Sequence, residues 1–145
     1  MFTFPTHFLV GAAMAYLFGF SMLFGALGGM LPDLDYFTPW HRGAFHSFVF
    51  APIAAAVVYA LTRSRLKSMG TGIGFAAHSL ADWMNYWGTM ILWPFSTTMF
   101  SLDIATWDDP VANGALSIAS VLLIILLKKY REKKPWLETI KKFWR

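Results

Sequence analysis

Cysteine is absent from the 145 residues. That excludes disulfides, thiolate metal sites and a cysteine nucleophile. Charge is scarce as well: 14% of the residues are charged, against about 25% in a soluble domain. No Lys or Arg precedes Arg42, so a cleavable signal peptide has no basic n-region here, and entry into a membrane is expected through the chain's own helices. Internal repeats and long linkers are missing too, and the length suits one domain over 1–145.

Hydrophobic residues make up 57% of the chain and aromatics 18%, with seven Trp. This composition points to an integral membrane protein with wide apolar surfaces and aromatic interfaces. The twelve basic residues are unevenly placed: eleven lie in Arg63–Lys67 or Lys128–Arg145. Both segments abut apolar runs, so the positive-inside rule is the better account of them than nucleic-acid binding. The basic loop 63–67 and the C-terminus are expected in the cytoplasm, with the loops 32–43 and 89–109 on the other side.

Residues 6–31 are almost wholly apolar and admit two readings. One is a single span of about 20 residues or more. The other is a hairpin of two short helices that reverses at Gly19-Phe20-Ser21. A straight helix would hold His7 about 36 Å from Leu31, so His7 can join a site near Asp33 only in the hairpin. Residues 32–43 are a polar loop rich in breakers. A second apolar run covers 44–61, with a possible bend at Pro52, and Ser68 is a candidate N-cap for the helix that follows. That helix is expected to weaken at Gly88. The glycines of Gly70-Thr-Gly-Ile-Gly74 suit close packing, because their spacing is not that of a phosphate loop. Asp109-Pro110 has the signature of a helix start, and the apolar run to Leu127 is the plainest transmembrane candidate. After Pro135, apolar residues recur at helical spacing among lysines, as in an amphipathic interfacial helix over 135–145. The expected architecture is an all-α integral-membrane bundle of four to five apolar helices plus that tail.

Polar chemistry is concentrated in a few places. His78 and Asp82 stand four residues apart in an apolar helical run, so they share one face. A bare carboxylate is costly to bury unless it is paired or metal-bound, and both readings of this pair are open from the spacing alone. Asp33 and Asp35 offer oxygen ligands after Pro32. His41 and His46 offer imidazoles, common ligands of zinc, iron and manganese. Arg42 carries the planar fork that grips phosphate or carboxylate oxygens. All four histidines of the chain, His7 included, lie in or near these motifs.

The motifs Leu31-Pro32-Asp33-Leu34-Asp35, His41-Arg42-Gly43-x-x-His46-Ser47, Gly74-x-x-x-His78-x-x-x-Asp82, Gly88 and Leu92-Trp93-Pro94-Phe95, with Thr6-His7 before them, resemble the YdjM-like family of membrane-bound metal-dependent hydrolases. The likeness covers roughly residues 6 to 100. It departs from the family at Tyr36, Phe45 and Asn85, where His, Thr and Thr are common. A more distant similarity is to zinc-dependent phospholipase C and the related zinc nucleases. The resemblance implies metal ligation by His7, Asp33, His46, His78 and Asp82, with Asp82 the natural bridge if two ions bind. His41 is a weaker candidate. Asp35 would be a further ligand, an orienter of a histidine or a general base, and Arg42 would stabilise charge on substrate oxygens.

The implied cofactor is one or two divalent ions, zinc first, with manganese or iron as alternatives. The implied substrate is a phosphate ester or lipid, with membrane lipids as partners, no nucleic acid, and a site opening away from the cytoplasm. The alternative from another class is a non-catalytic membrane protein that binds or moves a metal ion with the same ligands.

Overall fold

The computed structural model describes residues 4–36, 38–39, 41–106 and 108–134. Among them are five α-helices and no strand: α1 Phe4–Leu17, α2 Met22–Gly28, α3 Phe50–Thr62, α4 Arg65–Trp83 and α5 Pro110–Glu132. Two short 3-10 turns, Pro32–Asp35 and Ala44–His46, lie between α2 and α3. The all-α expectation holds. The amphipathic tail expected over 135–145 lies outside the described residues.

Among the described helices only α5 is both long and apolar enough to cross a bilayer, and just 11% of its apolar window is buried inside the protein. Val111, Ile118, Leu122 and Leu126 all point outward from it. The apolar helices α1 and α3 have 14 and 13 residues, fewer than the about 20 a span requires. Apolar length in α1–α4 is instead divided among shorter helices that pack on one another.

The first apolar run does reverse. α1 ends at Leu17, Gly19 adopts a left-handed φ of +83°, and Ser21 caps α2 by accepting from the Phe24 N–H at 3.5 Å. Glycine is suited to that backbone conformation because it has no Cβ to clash. The reversal is tied down from elsewhere: the Ser21 N–H donates to the Leu66 carbonyl at 3.1 Å.

Four local expectations are corrected. The N-cap of α4 is Ser64, not Ser68. α3 and α4 are joined by Arg63 and Ser64 alone, with Arg63 in the left-handed region at φ +52°. The basic stretch 63–67 is therefore a tight corner followed by the first turn of α4 rather than a loop. Ser68, inside that turn, donates to the Ala55 carbonyl at 2.8 Å. Pro52 sits in the first turn of α3, where its missing N–H has no helical acceptor in any case, so it does not bend the helix. α4 ends at Trp83, before Gly88. The Asp109-Pro110 start of α5 is as expected, with the Asp109 carboxylate accepting from Val111 and Ala112.

α4 is the central element and packs against α1, α2 and α3, while α5 lies along α1. Glycines let these backbones touch. A Cβ on Gly74 would strike the Gly25 carbonyl, and one on Gly28 would strike the Thr71 backbone. The α1–α5 seam is polar: Thr6 donates to Asn113 at 2.9 Å, and Arg131 donates to the Tyr16 carbonyl at the far end. Arg131 and Lys67 thus come to the same end of the molecule as the α1–α2 turn, Arg131 over the Tyr16 ring and Lys67 over Phe24. The histidines and aspartates of the motifs gather at the other end.

Candidate metal centre

Three separate parts of the chain build the cluster. The 3-10 turn after Pro32 carries Asp33 and Asp35, the second 3-10 turn carries His46, and the last turns of α4 carry His78 and Asp82. Asp33, His46, His78 and Asp82 are all fully buried, and one ligand atom from each lies within 4.8 Å of the others. Nε2 of His46 stands 3.4 Å from Asp82 Oδ2 and 3.7 Å from Asp33 Oδ1. Nε2 of His78 repeats those separations, 3.4 Å and 3.7 Å.

These distances are informative. Hydrogen bonds between nitrogen and oxygen are about 2.7–3.2 Å long, and none of the four facing atoms has a hydrogen-bond partner. Ligands bound tetrahedrally at about 2.0–2.1 Å stand about 3.3–3.4 Å apart. The 3.4 Å separations match that spacing and the 3.7 Å ones exceed it, so the four groups are too far apart to bond one another and could hold a shared cation. Two imidazoles and two carboxylates are also a donor set that a divalent ion accepts. The residues fit a metal.

The surroundings fix the imidazoles. Nδ1 of His78 lies 2.7 Å from the Gly29 carbonyl, which turns Nε2 toward the aspartates. Nδ1 of His46 faces Asp35 Oδ2 at 3.5 Å, and the other oxygen of Asp35 is 2.7 Å from His41 Nδ1. Asp35 therefore lies between two histidines. Burial raises its pKa, but the hydrogen bond with His41 and the charge of the His46 and His41 rings outweigh that and hold it below the ordinary carboxylate value. For His46, burial works against the charged ring, while Asp33, Asp35 and Asp82 outweigh it and push the pKa up to about 9.

His7 reaches the cluster from α1. Its Nε2 is 3.3 Å from Asp82 Oδ1 and its ring stacks on His78 at 3.7 Å. It faces the oxygen of Asp82 that points away from His46 and His78, so it stands beside the four-residue group rather than in it. Arg42 also faces that oxygen, Nη2 at 3.8 Å, and donates from Nη1 to the Gly88 carbonyl at 3.3 Å. Every residue singled out from the sequence is thus within this one region, with Asp35 and His41 the partly exposed members. Sequence reasoning missed the Gly29 and Gly88 carbonyls. Backbone acceptors leave no side-chain signature, and Gly88 read only as a motif residue and as the place where the helix weakens.

No curated protein and no solved structure matches the chain. The family model of the YdjM inner membrane proteins matches residues 1–140, and the chain belongs to that family.

Proposed function

We propose that this YdjM-family membrane protein is a divalent-metal-dependent hydrolase of a phosphoester, with a lipid phosphate as the substrate class and zinc as the ion. The observation that carries the reading is the set of four buried, mutually unbonded ligand atoms on Asp33, His46, His78 and Asp82. An ion held there supplies Lewis acidity and an activated water. The chain's own residues do the rest. Gly29 and Asp35 orient the two imidazoles. Arg42 offers a buried Nη2 without a hydrogen-bond partner to a substrate oxygen. Asp35, shared by two imidazoles and held below the usual carboxylate pKa, suits an orienting role better than that of a general base.

The partly exposed Asp35 and His41 mark the mouth of the site. Lys67 and Arg131 lie at the opposite end of the molecule, so a cytoplasmic location for them would put the mouth on the other side of the membrane.

One observation favours the non-catalytic alternative. The four ligand residues are no more than 2% exposed, and closed sites are typical of structural metals. A single experiment separates the readings. Protein purified in detergent is analysed for metal and assayed on a soluble phosphodiester and on phospholipid, beside His78→Ala and Asp82→Ala. The expected result is zinc and metal-dependent turnover in the wild type and loss of both in the variants. Metal without turnover leaves the binding role, and unchanged metal in both variants refutes the site.

A further inference from the structure

Asp82 is divided between two environments. Its Oδ2 faces His46 and His78, both at 3.4 Å. Its Oδ1 faces a different imidazole, His7 Nε2, at 3.3 Å. A carboxylate with one oxygen in a ligand set and a further imidazole at the other is an arrangement suited to two bridged cations. In this chain a permanent positive charge stands beside that second oxygen. The Arg42 guanidinium is buried, with Nη2 3.8 Å from the same Oδ1.

That placement is enforced. Arg42 has a left-handed φ of +65°, uncommon for a residue with a side chain. Its carbonyl accepts from the Met90 N–H at 3.1 Å and from Thr89 Oγ1 at 3.3 Å. Its Nη1 is held by the Gly88 carbonyl. The segment after α4 therefore grips Arg42 at both backbone and side chain and keeps the guanidinium pointing inward.

We propose that Arg42 takes the place of a second metal ion: the centre holds one divalent cation, and the guanidinium supplies the other positive charge against Asp82 Oδ1. This rests on the metal-centre reading above. A dication at His7 and Asp82 Oδ1 would stand against an arginine that does not lose its proton, so the second site opens only when Arg42 is removed. His7 then changes from a neighbour of Asp82 to a ligand.

The test is zinc stoichiometry of the full chain in detergent, stripped with chelator, reloaded with Zn²⁺ alone and read by elemental analysis. Arg42→Gly is the informative variant, because glycine accepts the left-handed backbone at no steric cost. The wild type is expected to bind one Zn²⁺ per chain, Arg42→Gly two, Arg42→Lys one, and Arg42→Gly with His7→Ala one. Retention of the first ion shows that the variant is folded. If Arg42→Gly retains none, Arg42→Asn, which also tolerates a positive φ, replaces it with the same expected count of two. Two ions in the wild type, or one in the folded Arg42 truncation, overturns the proposal while leaving the metal centre standing. No zinc in the wild type overturns both.

Discussion

His46 has a carboxylate on each side of its ring: Asp33 and Asp82 at Nε2, and Asp35 at Nδ1. Burial alone would make it a weak base, yet the three aspartates push its pKa up to about 9. A nitrogen that binds a metal must first lose its proton. Zinc binding at neutral pH should therefore release a proton from this residue. The apparent affinity should weaken by about tenfold for each pH unit below about 9. The sign follows from the raised value: the protonated form dominates below it and competes with the metal. Titration calorimetry in buffers of different ionisation enthalpy reads the released proton directly. An enthalpy independent of buffer between pH 6 and pH 8 would contradict this account of His46. At the same scale the shared face of His78 and Asp82 was legible from spacing, and the rest of the candidate ligand set came from the family resemblance. The role of Asp35 was not legible, because the three possibilities differ only in which imidazoles it meets across the turn.

Between elements, the decisive contacts are those of small residues. Gly74 in α4 abuts the Gly25 carbonyl in α2, and Gly25 in turn abuts Ala15 of α1. Backbone cannot swing aside as a long side chain can, so an added methyl must push the helices apart. Gly74→Ala is expected to destabilise the fold by about 1–3 kcal/mol. It should also weaken metal binding, since His78 lies one turn further along the same helix. Gly114 is the control: nothing lies within 4 Å of a Cβ added there, and alanine in a helix interior is better by up to about 1 kcal/mol. Thermal unfolding in detergent, with metal content measured alongside, checks both. Equal midpoints for Gly74→Ala and wild type would refute the packing argument. The α1–α2 reversal belongs to this scale too. Hydropathy is the same for one long helix and for two short ones. The choice is made by the Ser21 bond to Leu66 and by the contact of α2 with α4, more than forty residues away in the chain.

The whole molecule has two chemically distinct ends. Lys67 and Arg131 mark one by packing on Phe24 and Tyr16 of the α1–α2 hairpin; the aspartate and histidine cluster marks the other. We expect the basic end in the cytoplasm. The absence of native cysteine makes this simple to read. A single cysteine at Arg65 should be protected from an impermeant thiol reagent in intact cells, and one at the exposed Ile104 should react. The reverse pattern would invert the orientation and place the mouth of the site on the cytoplasmic side.

The amino-acid sequence by itself determined that the protein is helical and suited to a membrane, that α5 is the plainest span, and that its histidines and most of its buried carboxylates fall in a few short motifs. Those properties are written in composition, in runs of apolar residues and in i,i+4 spacing, all of which are local. Tertiary structure alone decided that residues 4–28 fold back on themselves and that His7 meets the outer oxygen of Asp82. It also decided that His46 is shared between the inner cluster and Asp35, and that Arg42 turns inward to lie against Asp82. Each of these depends on which backbones can approach closely and on which carbonyls lie opposite a ring nitrogen or a guanidinium. Such pairings join parts of the chain separated by tens of residues, so no pattern along the sequence specifies them.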